Sequence, residues 1–144
     1  MVDSRRFRLF VYDTMLPGEP EAALLDGATS LGPARTVARY PLLDLGSGAA
    51  LLASTALEVA PVVGELYEVT APILARCDVR REHPTMFVRE ELDLEDGTRA
   101  FAYFLRPEQA RGRRRIRGGD WKRRFEVAKP EAGPLVRWAR TRTR

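Results

Sequence analysis

Apolar positions in this chain fall in short blocks that alternate with polar residues and are cut by Gly, Pro or Asp-Gly. Such a pattern predicts many short strands and few helices. Arg6 to Tyr12 is the first strand; it stops at Asp13-Thr14, and the chain turns at Pro17-Gly18. Glu19-Pro20-Glu21 opens a short helical pattern through Ala22, Ala23, Leu24 and Leu25, closed by Asp26-Gly27. Proline and acids in a first turn and glycine at the end are the expected punctuation. Residues 30–40 and 41–54 read as two or three short strands separated by Gly, Pro and Ser. Val62 to Thr70 (VVGELYEVT) is a further strand in which Val63, Leu66 and Val69 break strict alternation, so Gly64 marks a bulge or a close backbone approach. Pro72 starts one or two helical turns with Ile73, Leu74 and Cys77 at helical spacing. TMFVREELDL and TRAFAYFL flank Glu95-Asp96-Gly97 and predict a hairpin. Beyond Arg106 no apolar period is clear until Trp121, Phe125 and Val127. The fold class expected is α+β: a small, mostly antiparallel β-barrel or sheet with short helices inserted, not alternating βαβ units. Residues 1–127 form the domain, and 128–144 a basic C-terminal tail, helical or disordered.

Composition narrows this picture. At 144 residues with 44% apolar content, the chain can bury a proper core. No apolar run approaches the roughly 20 residues that span a bilayer, so no membrane partner is expected. The first residues carry Arg5, Arg6 and Arg8 without the apolar block of a signal peptide, which points to the cytoplasm. One cysteine (Cys77) and one histidine (His83) allow no internal disulfide and make a structural zinc site improbable; no cofactor is expected. Residues 1–110 hold 11 Lys or Arg against 17 Asp or Glu, a net −6, whereas 111–144 hold 13 against 3, a net +10. Eight cations crowd into 111–124, where only Trp121 interleaves an aromatic. That run reads first as a solvated face, then as a border that steers an anionic substrate, and last as a nucleic-acid strip. Nothing in the sequence specifies an oligomeric state.

Several segments, taken in order, resemble a known family. Tyr12-Asp13-Thr14-Met15-Leu16-Pro17-Gly18 is similar to a Tyr-Gly-(Ser/Thr)-Leu loop followed by a Pro-Gly turn. LLDGATSLGPARTVARYPLLDLGSGAALL resembles a run of Gly-Ala, Gly-x-Ala-x-Thr and Tyr-x-Leu elements, and VVGELYEV matches a Val-x-Gly-Glu-(Leu/Val)-Tyr-x-(Val/Leu) strand. Gly118 to Phe125 (GGDWKRRF) resembles a closing Gly-Asp-Trp segment. Over roughly residues 7–127 the chain thus resembles the γ-glutamylcyclotransferase-like, AIG2-like family.

The resemblance implies an enzyme that cyclises a γ-glutamyl amide or amine to 5-oxoproline and releases the free amine. Such chemistry needs a carboxylate to take the ammonium proton, donors for the developing oxyanion, and a cradle that folds the substrate onto itself. By resemblance Tyr12, Asp13, Thr14, Met15 and Leu16 line the substrate pocket with their backbone, and Tyr103 lies near the ligand. Asp13 stands where the family has glycine. The family's helix end reads Leu-Asp-x-x-Glu-Gly, its glutamate three residues after the aspartate; here Glu82 stands four residues after Asp78 and is taken as the general base and acid, carried there by a one-residue insertion. Glu65 is the backup carboxylate. His83 adjoins Glu82 and reads as a loop residue, Tyr67 as structural, and Cys77 as core. Two other functions remain open at this point: a catalytically inactive binding protein of the same fold, and a basic nucleic-acid-associated module.

Overall fold

The structure, a computed structural model, describes residues 4–53 and 60–125. Its strands are β1 (Arg6–Val11), β2 (Thr29–Arg35), β3 (Leu42–Asp44), β4 (Ala49–Leu51), β5 (Val63–Thr70), β6 (Phe87–Asp93), β7 (Arg99–Leu105) and β8 (Arg114–Arg115). One α-helix, α1 (Ala71–Arg80), joins β5 to β6, and single 3₁₀ turns cover Ala22–Leu25, Pro107–Gln109 and Trp121–Arg123. The strands lie in the order β2-β5-β1-β7-β4-β3-β8, with β6 on the other edge of β7. Five of the seven pairings are antiparallel; β1 and β4 meet β7 in parallel. The result is an α+β half-barrel around a core that includes Leu9, Phe10, Leu42, Leu51, Val69 and Ala102.

Local sequence accounts for most elements. The Asp96-Gly97 turn joins β6 to β7 in full register, Phe87 opposite Leu105 through Asp93 opposite Arg99. Gly64 is a close approach and not a bulge: a Cβ there would lie 2.1 Å from the Val11 carbonyl oxygen on the neighbouring β1. The register shift sits instead on β2, between Ser30 and Gly32. The helical pattern after Pro20 yields only the 3₁₀ turn Ala22–Leu25, since Pro20 and Gly27 leave room for little more. After Pro72 the helix is longer than expected, ten residues. Thr70 caps it by accepting the Ile73 N–H at 3.3 Å, and Ile73, Leu74 and Cys77 are buried. Its exposed face of Ala75, Arg76, Val79 and Arg80 does not continue the buried period, which hid the last turn. Arg114–Arg115 pairs with β3 as a short edge strand of exposed arginines, with no apolar alternation to announce it. The basic segment 128–144 lies outside the described residues.

β7 decides where the site forms. β6 takes one edge along its whole length, so β1 and β4 must share the other: Leu9 of β1 faces Phe101, and Leu51 of β4 faces Phe104. Between these points β1 peels away and β4 has yet to arrive. Tyr12 fills the seam with its side chain. Its hydroxyl donates to the Tyr103 carbonyl at 2.7 Å and accepts the Leu51 N–H at 3.3 Å, standing in for a missing strand contact. Burial pushes the Tyr12 phenol far above its usual range, so it remains a neutral donor. Tyr12→Phe leaves both buried backbone groups without that partner and is expected to lower unfolding stability by about 2 kcal/mol at unchanged denaturant slope. Urea unfolding followed by circular dichroism reads this directly, and an unshifted midpoint refutes the bridging role.

Candidate active site

At the exit of β1 the chain turns tightly, the Leu16 N–H bonding the Asp13 carbonyl at 3.0 Å. Asp13 itself is buried, and its carboxylate Oδ2 accepts the Ala49 N–H at the start of β4, at 2.9 Å. Gly48 leaves room for this contact, since a Cβ there would crowd the same oxygen at 3.0 Å. The other oxygen, Oδ1, lies 3.2 Å from the Arg81 guanidinium, which also donates to the Thr14 hydroxyl at 3.1 Å and lies 3.3 Å from Glu21. Glu21 in turn pairs with Arg80 and accepts the Thr14 hydroxyl. Burial pushes the Asp13 carboxyl above its usual range, opposed by Arg81 and by the Ala49 and Thr14 amides. Burial also works against the Glu21 charge, but the Thr14 hydroxyl, Arg81 and Arg80 outweigh it and hold its carboxyl below the usual range. Arg81 loses solvent too, yet Asp13 and Glu21 raise it further and keep it charged.

These groups floor a pocket of about 180 Å³. Its remaining walls are the β3–β4 turn with Ser47 and Gly48, the helix end Arg80, Arg81 and Glu82, and Met86 with Phe87 at the start of β6. Glu82 is exposed and lines the mouth. Its backbone is unusual, with φ +51°. The Glu82 N–H bonds the Val79 carbonyl at 3.1 Å and the His83 N–H the Asp78 carbonyl at 3.0 Å. That pair of bonds ends the helix in a Schellman motif, with Glu82 at the left-handed position where glycine is the usual residue. The helix runs without interruption to Arg80 and its left-handed cap falls on Glu82, which favours a replacement over an insertion between Asp78 and Glu82. Arg81 therefore occupies the place of the motif's glutamate, and Glu82 the place of its glycine.

Of the residues singled out in the sequence, Asp13 and Glu82 line this pocket, and the Thr14 hydroxyl belongs to its charge network. Tyr12, Met15 and Leu16 are buried behind it. Tyr103 is buried as well; its hydroxyl donates to Asp78 Oδ1 at 2.6 Å, on the far side of the helix end, and it is not among the pocket's walls. Asp78 also takes Arg89 at 3.0 Å, so Tyr103 and Arg89 together fix the end of α1 that carries Arg81 and Glu82. Glu65 accepts the Ser30 hydroxyl on the exposed sheet, away from the pocket. His83 accepts the Arg89 N–H through Nδ1 at 3.0 Å. Cys77 is core, its thiol pushed up to about 11 by burial. Among the pocket residues that escaped the sequence reading, two belong to the buried charge network around Asp13. Glu21 looked like a helix-start acid, and Arg81 like a solvated charge, although its spacing from Asp78 marked it.

No residue of 111–124 lines the pocket. This segment instead buttresses the loop after β1: Trp121 Nε1 donates to Glu19 at 2.8 Å and Lys122 to the Pro17 carbonyl at 2.9 Å. Arg124 stacks 3.6 Å over the Trp121 ring. Among the described residues no three His, Cys, Asp or Glu side chains gather to hold a metal ion, and no helix is long and apolar enough to cross a membrane.

A family model for gamma-glutamyl cyclotransferase, AIG2-like proteins matches residues 9–123. A Vibrio cholerae protein provisionally named a gamma-glutamylcyclotransferase is 32% identical over 113 residues, 78% of this chain and 93% of its own length. The chain belongs to this family. Solved structures share the fold: an AIG2-like protein of Mus musculus is superposable with a TM-score of 0.68 at 23% identity, over 92% of this chain and 93% of that one. A protein specific to uropathogenic E. coli reaches a TM-score of 0.71 at 18% identity, over 83% and 94% of the two chains.

The buried charge network generates a pH-dependent expectation. Replacing Arg81 by Met leaves Asp13 and Glu21 without their shared cation, a loss of about 3 kcal/mol at neutral pH. With the guanidinium gone, the Asp13 carboxyl moves further up, so its protonated form is the one the folded state favours. Stability of the variant then falls as pH rises through that raised value, while the wild type keeps its paired charges. The gap between the two is expected to narrow toward pH 4. Thermal unfolding across pH 4 to 8 measures it, and a gap independent of pH contradicts the pairing.

Proposed function

We propose that the protein cyclises a γ-glutamyl amide or amine to 5-oxoproline and releases the free amine, with Glu82 handling the proton. The observation that carries this reading is the backbone of Glu82. A non-glycine residue in the left-handed region costs roughly 1 kcal/mol, and here a cheaper residue was available at a helix end built for glycine. Strain of this kind is retained where the side chain serves a purpose. The strained carboxylate lines the mouth of a small pocket whose opposite wall is the loop after β1.

In the proposed reaction Glu82 takes one proton from the substrate ammonium and passes it to the departing nitrogen; the freed amine attacks its own γ-carbonyl, and the second proton shed as the lactam closes also ends on the leaving amine, which departs as an ammonium. The oxyanion needs donors. The Leu16 amide is committed to the Asp13 carbonyl and the Arg81 guanidinium to Asp13, Thr14 and Glu21, so the donors must be amides of the surrounding loops that are still free. The pocket, about 180 Å³, is on the scale of one small acyl unit with its leaving group outside. A second reading, a binding protein that no longer turns its ligand over, is favoured by Arg81 in the place of the motif's glutamate. Release of 5-oxoproline from a panel of γ-glutamyl amines separates the two.

Glu82→Gln is expected to cut that release by at least about a hundredfold. Glu82→Gly should do the same while melting at or above the wild-type temperature, by up to about 1 kcal/mol of added stability. Undiminished turnover in either variant removes Glu82 from the chemistry; a Glu82→Gly protein that is clearly less stable removes the strain argument.

A further inference from the structure

The loop, β3–β4 turn and helix end around the pocket leave no excess positive charge in it. Asp13, Glu21 and Glu82 supply three carboxylates against the two guanidiniums of Arg80 and Arg81, and both guanidiniums are already paired. Of the groups best suited to hold an incoming carboxylate, the Ala49 amide and the Arg81 guanidinium are both engaged by Asp13. The protein has in effect bound an anion of its own. A free carboxylate on the substrate would meet like charges with its natural partners taken, an arrangement that disfavours its binding. A substrate ammonium meets the opposite balance.

We infer, building on the cyclotransferase reading above, that this pocket accepts a γ-glutamyl unit with a free α-amine whose α-carboxyl is capped as a neutral amide or ester. The reaction then balances as before. The α-nitrogen forms its bond to the γ-carbon, the bond from that carbon to the leaving amine breaks, and both protons lost from nitrogen end on the amine. The product is the amide or ester of 5-oxoproline. Asp13 is the residue that sets this preference, by keeping Arg81 and the Ala49 N–H from a substrate carboxylate.

Two paired measurements on the full chain test the inference. The first is calorimetric titration with 5-oxoproline and with 5-oxoprolinamide. The second is release of benzylamine from γ-glutamyl benzylamide and from its α-carboxamide. The capped member of each pair is expected to bind or react at least about tenfold better. Asp13→Gly, which frees the guanidinium and the amide, should reverse the order, and Asp13→Asn, which drops the charge, should erase it. Wild-type protein that handles the free acid as well as the capped form overturns the inference while leaving the cyclotransferase reading intact. An unchanged preference in both folded variants also overturns it, by placing the discrimination elsewhere. Benzylamine release from neither compound takes down the cyclotransferase reading and this inference together. The wild-type comparison decides even if a variant fails to fold.

Discussion

The structure depends on one conflict of geometry, two strands competing for a single edge of β7. β1 holds the first part of that edge and β4 the last, and no backbone ladder can serve the gap between them. Buried backbone groups left there without partners would cost dearly. Two consecutive side chains at the end of β1 meet the need: Tyr12 bonds Tyr103 and Leu51, and Asp13 bonds Ala49. The first strand therefore ends in a phenol and an acid because the sheet changes partners at that point. A cleft opens where strands diverge, and the pocket lies in it.

The same constraint explains why a buried carboxylate is tolerated. Taken alone, an ion at the Asp13 site is a liability, and ion pairs in protein interiors seldom add net stability over apolar packing. Here the acid is needed twice, as an acceptor for the first amide of β4 and as the counter-charge that keeps Arg81 folded inward. Arg81 in turn gathers Glu21 and Thr14, so the loop after β1, the 3₁₀ turn and the end of α1 are tied at one point. From the far side, Tyr103 and Arg89 clamp Asp78. The helix end is held from both directions, and that fixes where Glu82 stands.

Much of the architecture was legible in the sequence because it rests on local rules. Alternation and Asp-Gly gave the β6–β7 hairpin, Pro72 the start of α1, and Gly64 the tight contact with β1. What stayed hidden depends on partners distant in the chain. β8 carries two exposed arginines with no strand pattern, and it pairs only because β3 presents a free edge. Glu21 and Arg81 looked like ordinary surface charges, since sixty residues separate them and neither neighbourhood is apolar. The family resemblance was readable from five short segments, and it located the loop and the helix end. The one-residue offset of Glu82 was not interpretable without the helix cap. In one dimension an insertion and a replacement look alike, and it is the left-handed cap on Glu82 that favours replacement.

That distinction changes how the two departures from the family pattern are understood. Asp13 in place of glycine and Arg81 in place of glutamate are not independent, because the two side chains form one ion pair. Either change alone would unbalance the site: an aspartate beside the motif's glutamate sets two anions together, and an arginine facing glycine keeps only Glu21 as a counter-ion. Made together they exchange the positions of the acid and its surroundings while keeping the pocket's fold. The pair places a buried anion in the loop, and it leaves Glu82 as the exposed carboxylate on the helix side. A position that normally asks only for backbone freedom then carries the group on which proton transfer would depend. The cost of holding it there falls on the backbone of one residue, which is small beside the cost of burying a second acid next to Asp13.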